Sequence, residues 1–122
     1  MDVYAIGDRR KKAVKIEVKT SQQTNFVTGI SQKGLADNPL TPDFWVLCQM
    51  KEDTDGVRRE RFFVLSHKEI CRAQFIVNRT YAKRYEERHG HAPDMGRGVD
   101  NVRLQDVERY EDAWVKITRV LT

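Results

Sequence analysis

The stretch that decides the fold is the first nineteen residues, in which two apolar runs flank a turn. The runs are Asp2-Val3-Tyr4-Ala5-Ile6 and Ala13-Val14-Lys15-Ile16-Glu17-Val18-Lys19. In the second run, valine or isoleucine at positions 14, 16 and 18 alternates strictly with a charged residue at positions 15, 17 and 19. This period of two predicts a strand with one apolar face and one charged face, paired with the first run in a β-hairpin.

The register of this hairpin brings two acidic residues together. If residues 7–12 form the loop, Ile6 lies opposite Ala13 and Asp2 lies opposite Glu17. Directly opposed residues share a face, with Cβ atoms about 4.5 to 5.5 Å apart. Two carboxylates at that distance repel each other, whereas a divalent cation between them would make the arrangement attractive. A loop one residue shorter or longer would move Asp2 to the other face.

Length and charge narrow the class of protein. The chain has 122 residues, which predicts one domain over residues 1–122, and its net charge is +4 with a pI of about 9.2. A basic balance favours a polyanionic partner. The densest cluster is Arg9-Arg10-Lys11-Lys12, although such runs are usually only a solvated surface.

Targeting signals and cysteine usage indicate a cytoplasmic protein. No apolar run approaches the roughly 18 residues that a membrane span requires, and no secretory signal is visible. Cys48 and Cys71 lack the spacing of a disulfide framework or metal motif, so we expect free thiols.

The remaining patterns predict an α+β domain in the order β-β-loop-β-β-α-α. Ser66 and Glu69 have the spacing of a capping box, and Gly90 is a natural helix stop. The other predicted elements are a polar connection over 20–42 with a short helix near Gln32 to Ala36, strands at 43–50 and 61–65, a helix from 66 to about 88, a short strand or bridge at 99–104, and a last helix at roughly 105–118.

The chain resembles the PD-(D/E)xK nuclease superfamily, whose members have a restriction-endonuclease-like fold. The residues that carry the resemblance are Asp2 in one strand and Glu17-Val18-Lys19 in the next, followed by two apolar strands and a helix that begins at Ser66. The resemblance covers most of the chain. It implies an α+β core with a central mixed four-stranded sheet and flanking helices. The family core begins with a further helix, which leaves open a fragment, a helix from a partner subunit, or a degenerate site.

The family resemblance also implies an activity, which is metal-dependent hydrolysis of phosphodiester bonds in DNA. Asp2 and Glu17 match the acidic ligands of Mg²⁺ (or Mn²⁺), with the Val18 backbone carbonyl as a possible further ligand. Lys19 matches the motif lysine, which stabilises negative charge on the phosphate or orients the water. No organic cofactor and no membrane partner are expected.

Contacts with DNA are expected around this site, and two other interpretations stay open. Arg9, Arg10, Lys11 and Lys12 would lie near the duplex, Gln22 or Gln23 would contact phosphate or metal-bound water, and two copies would act as a homodimer. Alternatively, the chain is a catalytically inactive module with the same fold that binds nucleic acid or protein. In the simplest interpretation, the charged face is solvated, with cross-strand pairs such as Asp2 to Lys19.

Overall fold

The hairpin at the start of the chain has the predicted register. In the computed structural model, which describes residues 2–7, 12–30, 41–94 and 99–122, β1 (Asp2–Ile6) pairs antiparallel with β2 (Ala13–Ser21). Asp2 lies opposite Glu17, and the backbone N–H of Gly7 donates to the Lys12 carbonyl across the loop at 2.8 Å. Asp2 and Glu17 therefore share a face of the sheet, as predicted.

Two further strands complete a mixed four-stranded sheet. β2 pairs parallel with β4 (Phe44–Glu52), which pairs antiparallel with β5 (Arg58–Ser66), so the strand order is β1-β2-β4-β5. The parallel pair requires a crossover connection. The helix predicted near Gln32 to Ala36 falls in that connection, outside the described residues.

A small second sheet was not predicted. Within the connection, β3 (Asn25–Val27) pairs antiparallel with β6 (Asn101–Arg103), which confirms the short strand expected at 99–104. A strand of three residues is too short to show a period of two, so the sequence pattern around Phe26 gave no strand signal.

The long helix α1 (His67–His89) follows β5 directly and begins at the predicted capping box. The Glu69 backbone N–H donates to Ser66 Oγ at 3.1 Å, and the Ser66 N–H donates to Glu69 Oε1 at 2.8 Å. The helix ends at Gly90, whose φ of 76° is left-handed and suits glycine. Within the described ranges, no helix has the length and apolar character needed to cross a membrane.

The sheet has a hydrophobic core on each face, so the central strand β4 is buried on both faces from Phe44 to Gln49, as predicted. The first core lies between the sheet and α1, and the second lies under the C-terminal segment. Residues at the centre of the first core are Phe26, Leu47, Phe63, Ile70 and Val107. The second core is built from Val14, Ile16, Phe44, Val46, Val64 and Ile117.

The prediction of one helix over roughly 105–118 is wrong. The segment contains α2 (Leu104–Val107), a 3₁₀ turn (Glu108–Tyr110) and α3 (Val115–Leu121). Between them Glu111 bridges to Phe63, and the Asp112 N–H donates to the Phe62 carbonyl at 2.9 Å. The chain thus passes along the edge of β5 from the first core to the second, which an unbroken helix could not do.

A buried polar cluster attaches α1 to the small sheet. Gln74 is 1% exposed, and its amide Nε2 donates to Asn78 Oδ1 and to the backbone carbonyls of Val99 and Asn101. Its Oε1 accepts from Thr28 Oγ1 at 2.7 Å. Buried polar groups stabilise a fold only when they are hydrogen-bonded, and here a single amide serves several partners.

Replacing this amide should destabilise the protein strongly. Gln74→Glu keeps the side-chain shape but places a carboxylate against three oxygens. We expect the free energy of unfolding at pH 7, from urea denaturation, to fall by roughly 3 kcal/mol, the scale of an uncompensated buried charge. Gln74→Met removes the hydrogen bonds without adding charge and should lower the free energy of unfolding by a smaller amount. A loss in Gln74→Glu no larger than that in Gln74→Met would contradict the placement of this side chain against the three oxygens, and no loss in Gln74→Met would contradict the role of the amide donors.

Candidate functional site

The centre of the candidate site is the contact between Asp2 and Glu17. A side-chain hydrogen bond joins them and is the largest cause that lowers the pKa of Asp2 below its ordinary value of 3.8. Desolvation acts in the opposite direction, and the positive charge of Lys15 lowers the pKa further. Asp2 and Glu17 are directly opposed on neighbouring strands, so their carboxyl oxygens could serve together as ligands of a divalent cation.

Two lysines flank the acidic pair on the same face. Lys19 Nζ lies 3.2 Å from Glu17 Oε1, and Lys15 Nζ lies 3.7 Å from Asp2 Oδ2. The structure therefore pairs Asp2 with Lys15, where the sequence suggested a pair with Lys19. The Glu17 side chain is 18% exposed and that of Asp2 is 48%, so solvent screens the Glu17–Lys19 pair less.

A histidine that sequence reasoning missed, His67 at the start of α1, is hydrogen-bonded to the residue that lies beside Glu17 in the sheet. Glu17 pairs with Trp45 in the parallel register, and Trp45 Nε1 donates to His67 Nδ1 at 3.1 Å. Because an indole N–H can only donate, His67 Nδ1 accepts, and the neutral ring carries its hydrogen on Nε2. That nitrogen lies 3.3 Å from Cys71 Sγ. The spacing of four residues between His67 and Cys71 is the one signal that could have predicted the contact.

Asp43 fixes the start of α1 relative to β2. Its carboxylate Oδ2 accepts from the Lys15 backbone N–H at 2.8 Å, and its own N–H donates to the Lys15 carbonyl. Its carbonyl accepts from the His67 N–H at 3.1 Å. The partners of Asp43 are backbone groups distant in sequence, so no sequence motif marks this residue.

The metal ligands available at this site suit a weakly bound hard cation such as Mg²⁺ better than a structural metal such as zinc. Among the residues that the structure describes, no group of three or more His, Cys, Asp and Glu side chains could hold a metal ion. Asp2 and Glu17 offer two carboxylates, and Val18, whose side chain packs against the second core, could add only its carbonyl. Mg²⁺ commonly takes one or two carboxylates plus water and phosphate oxygens, whereas structural zinc takes four protein ligands.

The predicted nucleic-acid contacts are not all near this pair. Arg9, Arg10 and Lys11 lie outside the described residues, and Lys12 is exposed beside the hairpin loop. Gln22 and Gln23 are exposed just beyond β2, roughly 16 and 20 Å along the chain from Glu17 at about 3.3 Å per residue. The Gln23 carbonyl accepts from Gln49 Nε2, and Gln22 lines an open cleft with residues of the β4–β5 hairpin.

Comparisons of the chain with protein-family models, with curated proteins and with solved structures found no match. The α+β class and the mixed four-stranded sheet with flanking helices follow from the structure itself. The geometry of the site is therefore the basis on which a function can be assigned.

The acidic contact can be tested through the pKa of Asp2. A carboxyl group whose folded-state pKa is depressed stabilises the protein above its ordinary pKa, and this contribution disappears as the pH falls through the folded value. In Glu17→Ala, we expect the pKa of Asp2 to rise toward 3.8, as measured by a ¹³C NMR titration of its carboxyl carbon. Lys19→Ala leaves the Asp2–Glu17 hydrogen bond in place and should change the pKa of Asp2 less. An unchanged Asp2 pKa in Glu17→Ala would rule out the contact.

Proposed function

We propose that this chain is a metal-dependent nuclease of the PD-(D/E)xK type that hydrolyses phosphodiester bonds in DNA. The observation that carries the proposal is the contact of Asp2 with Glu17 on neighbouring strands, with Lys19 beside Glu17 on the same face. The two free cysteines fit a reducing, cytoplasmic location.

The arrangement of strands supports a restriction-endonuclease-like core. The strand with Asp2 and the strand with Glu17-Val18-Lys19 are antiparallel neighbours, and the second is paired in parallel to β4 in the middle of the sheet. Helix α1 covers one face and α3 the other. This order agrees with the one that the resemblance implies.

The roles of the residues follow from their positions. Asp2 and Glu17 would hold Mg²⁺ or Mn²⁺, which in such sites polarises the scissile phosphate and lowers the pKa of bound water. Lys19 would place its ammonium group against the negative charge that develops on the phosphate oxygens. Lys15, paired with Asp2, would keep that carboxylate oriented on the exposed edge strand.

A homodimer is part of the proposal, with β1 as the contact strand. β1 is at the edge of the sheet, and Val3, Tyr4 and Ile6 are 40%, 63% and 69% exposed. An edge strand with exposed apolar side chains is prone to pair with another chain. Pairing there would place two acidic sites near one another, as cleavage of both DNA strands requires.

The proposed role of Lys19 predicts a loss of cleavage without a loss of folding. Lys19→Ala should abolish Mg²⁺-dependent cleavage of linear and branched DNA, because it removes the ammonium group beside Glu17. The Lys19 side chain is 36% exposed, so its loss should not disturb folding. Circular dichroism and the melting temperature should stay close to those of the parent. Lys51→Ala, at an exposed position of β4, is the matched control and should cleave normally. Cleavage retained by Lys19→Ala would exclude the assigned role.

The second candidate function is a non-catalytic module with the same fold that binds nucleic acid or protein. The observation that favours it is the limited set of metal ligands in the described part of the chain. The two functions differ in their response to metal. If the nuclease proposal is correct, Mg²⁺ or Mn²⁺ should raise the melting temperature, with stabilisation near 2.7 kcal/mol at a hundredfold excess over Kd. Glu17→Ala should abolish that response, and no response in the parent protein would favour the module.

A further inference from the structure

The C-terminal half of α1, which we call the extension, contributes no buried side chain to the described core. The last buried side chain of the helix is Asn78, and from Arg79 to His89 none is buried. This extension is about three turns, or roughly 16 Å, long. A helical segment of that length has little stability of its own in water. Its surface is therefore a candidate for binding a partner.

Aromatic rings form a continuous row on this extension. Their centroids are separated by 6.1 Å between Tyr81 and Tyr85 and by 4.3 Å between Tyr85 and His89. Residues four apart lie on the same side of a helix, which produces the row. The left-handed conformation of Gly90 turns the chain back, so that the His91 ring lies 5.6 Å from Tyr85.

The extension also carries several positively charged side chains. Arg79, Lys83, Arg84 and Arg88 are exposed, and none of them has an ion-pair partner within the described residues. Arg79 with Lys83, and Arg84 with Arg88, are like-charged pairs four residues apart, which destabilise a helix. The only acidic residues on the extension are Glu86 and Glu87. A bound polyanion would relieve this repulsion.

Rings and cations meet in one cleft. An open cleft of about 410 Å³ is lined by Tyr81, Arg84, Tyr85, Arg88 and His89. Guanidinium groups bind phosphate, and aromatic rings stack on bases whose faces are accessible. Bases in a duplex have their faces covered by neighbouring base pairs, so the combination fits a single strand better than a duplex.

We propose that this cleft binds single-stranded DNA. The preference for a single strand comes from the row of rings and the unpaired cations, whereas the choice of DNA as the polymer rests on the proposed nuclease function. A second copy of the same extension is a poorer occupant, because it would place two positively charged surfaces against each other. An acidic peptide would satisfy the cations but would leave the row of rings without planar partners.

Binding can be measured in EDTA, where metal-dependent cleavage does not interfere. The probe is a fluorescent oligothymidylate of roughly 12 nucleotides, within the usual site size of such proteins, followed by anisotropy. Tyr85→Ala should weaken binding roughly 5- to 150-fold, the range for loss of one stacked base. Tyr85→Phe keeps the ring and should bind as the parent does. Phe75→Ala, an exposed aromatic of α1 outside the cleft, is the matched control, and circular dichroism checks the helix in each variant.

The arginines should control the salt dependence. Arg84→Gln and Arg88→Gln should each reduce the slope of log K against log salt concentration by about 0.7, as expected for one phosphate contact on a single strand. A duplex of the same length should bind more weakly than the single strand.

Four results would overturn the assignment. They are unchanged binding by Tyr85→Ala, equal or tighter binding of the duplex, tighter binding of single-stranded RNA, and a dimer in sedimentation that Tyr85→Ala dissociates. The nuclease proposal fails separately. Glu17→Ala should bind the oligonucleotide in EDTA as the parent does, so Tyr85-dependent binding without any Mg²⁺-dependent cleavage would remove the catalytic proposal and retain the single-strand site.

Discussion

The alternation of β2 between an apolar and a charged face is the constraint on which the rest of the structure depends. Val14 and Ile16 enter the second core beneath α3, so the strand cannot slip by one residue without exposing them. The same register fixes Glu17 on the opposite face, across from Asp2 and beside Trp45. The packing that stabilises the fold thus also holds the two carboxyl groups on one face of the sheet.

Helix α1 links the two candidate sites. Its first residue, His67, receives a hydrogen bond from Trp45, the neighbour of Glu17, and its last residue, His89, lines the cleft of the extension. The helix is 23 residues long, or about 34 Å. The capping box and the buried amide of Gln74 anchor only its first half. A strand of DNA bound along this helix would run from the cleft of the extension toward Trp45, the neighbour of Glu17 in the sheet.

Sequence patterns predicted the hairpin and the start of α1, because their signals lie within a few residues of each other. They did not predict the elements whose conformation depends on contacts with residues distant in sequence. The hairpin register and the capping box follow from alternation and from the spacing of Ser66 and Glu69. The break near Asp112 could not be predicted, because positions 107, 110, 114 and 117 fit helical spacing although the chain has to reach both faces of the sheet. Trp114, in the middle of this segment, is 40% exposed and packs beside Phe62, with ring centroids 5.7 Å apart. Of the candidate site, the acidic contact was predictable, whereas the links through Asp43 and His67 depend on tertiary packing.

The two lysines limit what the acidic pair can attract by itself. Lys15 and Lys19 offset part of the negative charge of Asp2 and Glu17, so a free divalent cation binds this pair weakly and occupies it only in large excess. A DNA phosphate adds negative charge at the same place and gives both the cation and Lys19 a further partner. If the proposed function is correct, metal and DNA should therefore bind cooperatively, and the lysines would protect the unliganded site from the repulsion of its own carboxylates.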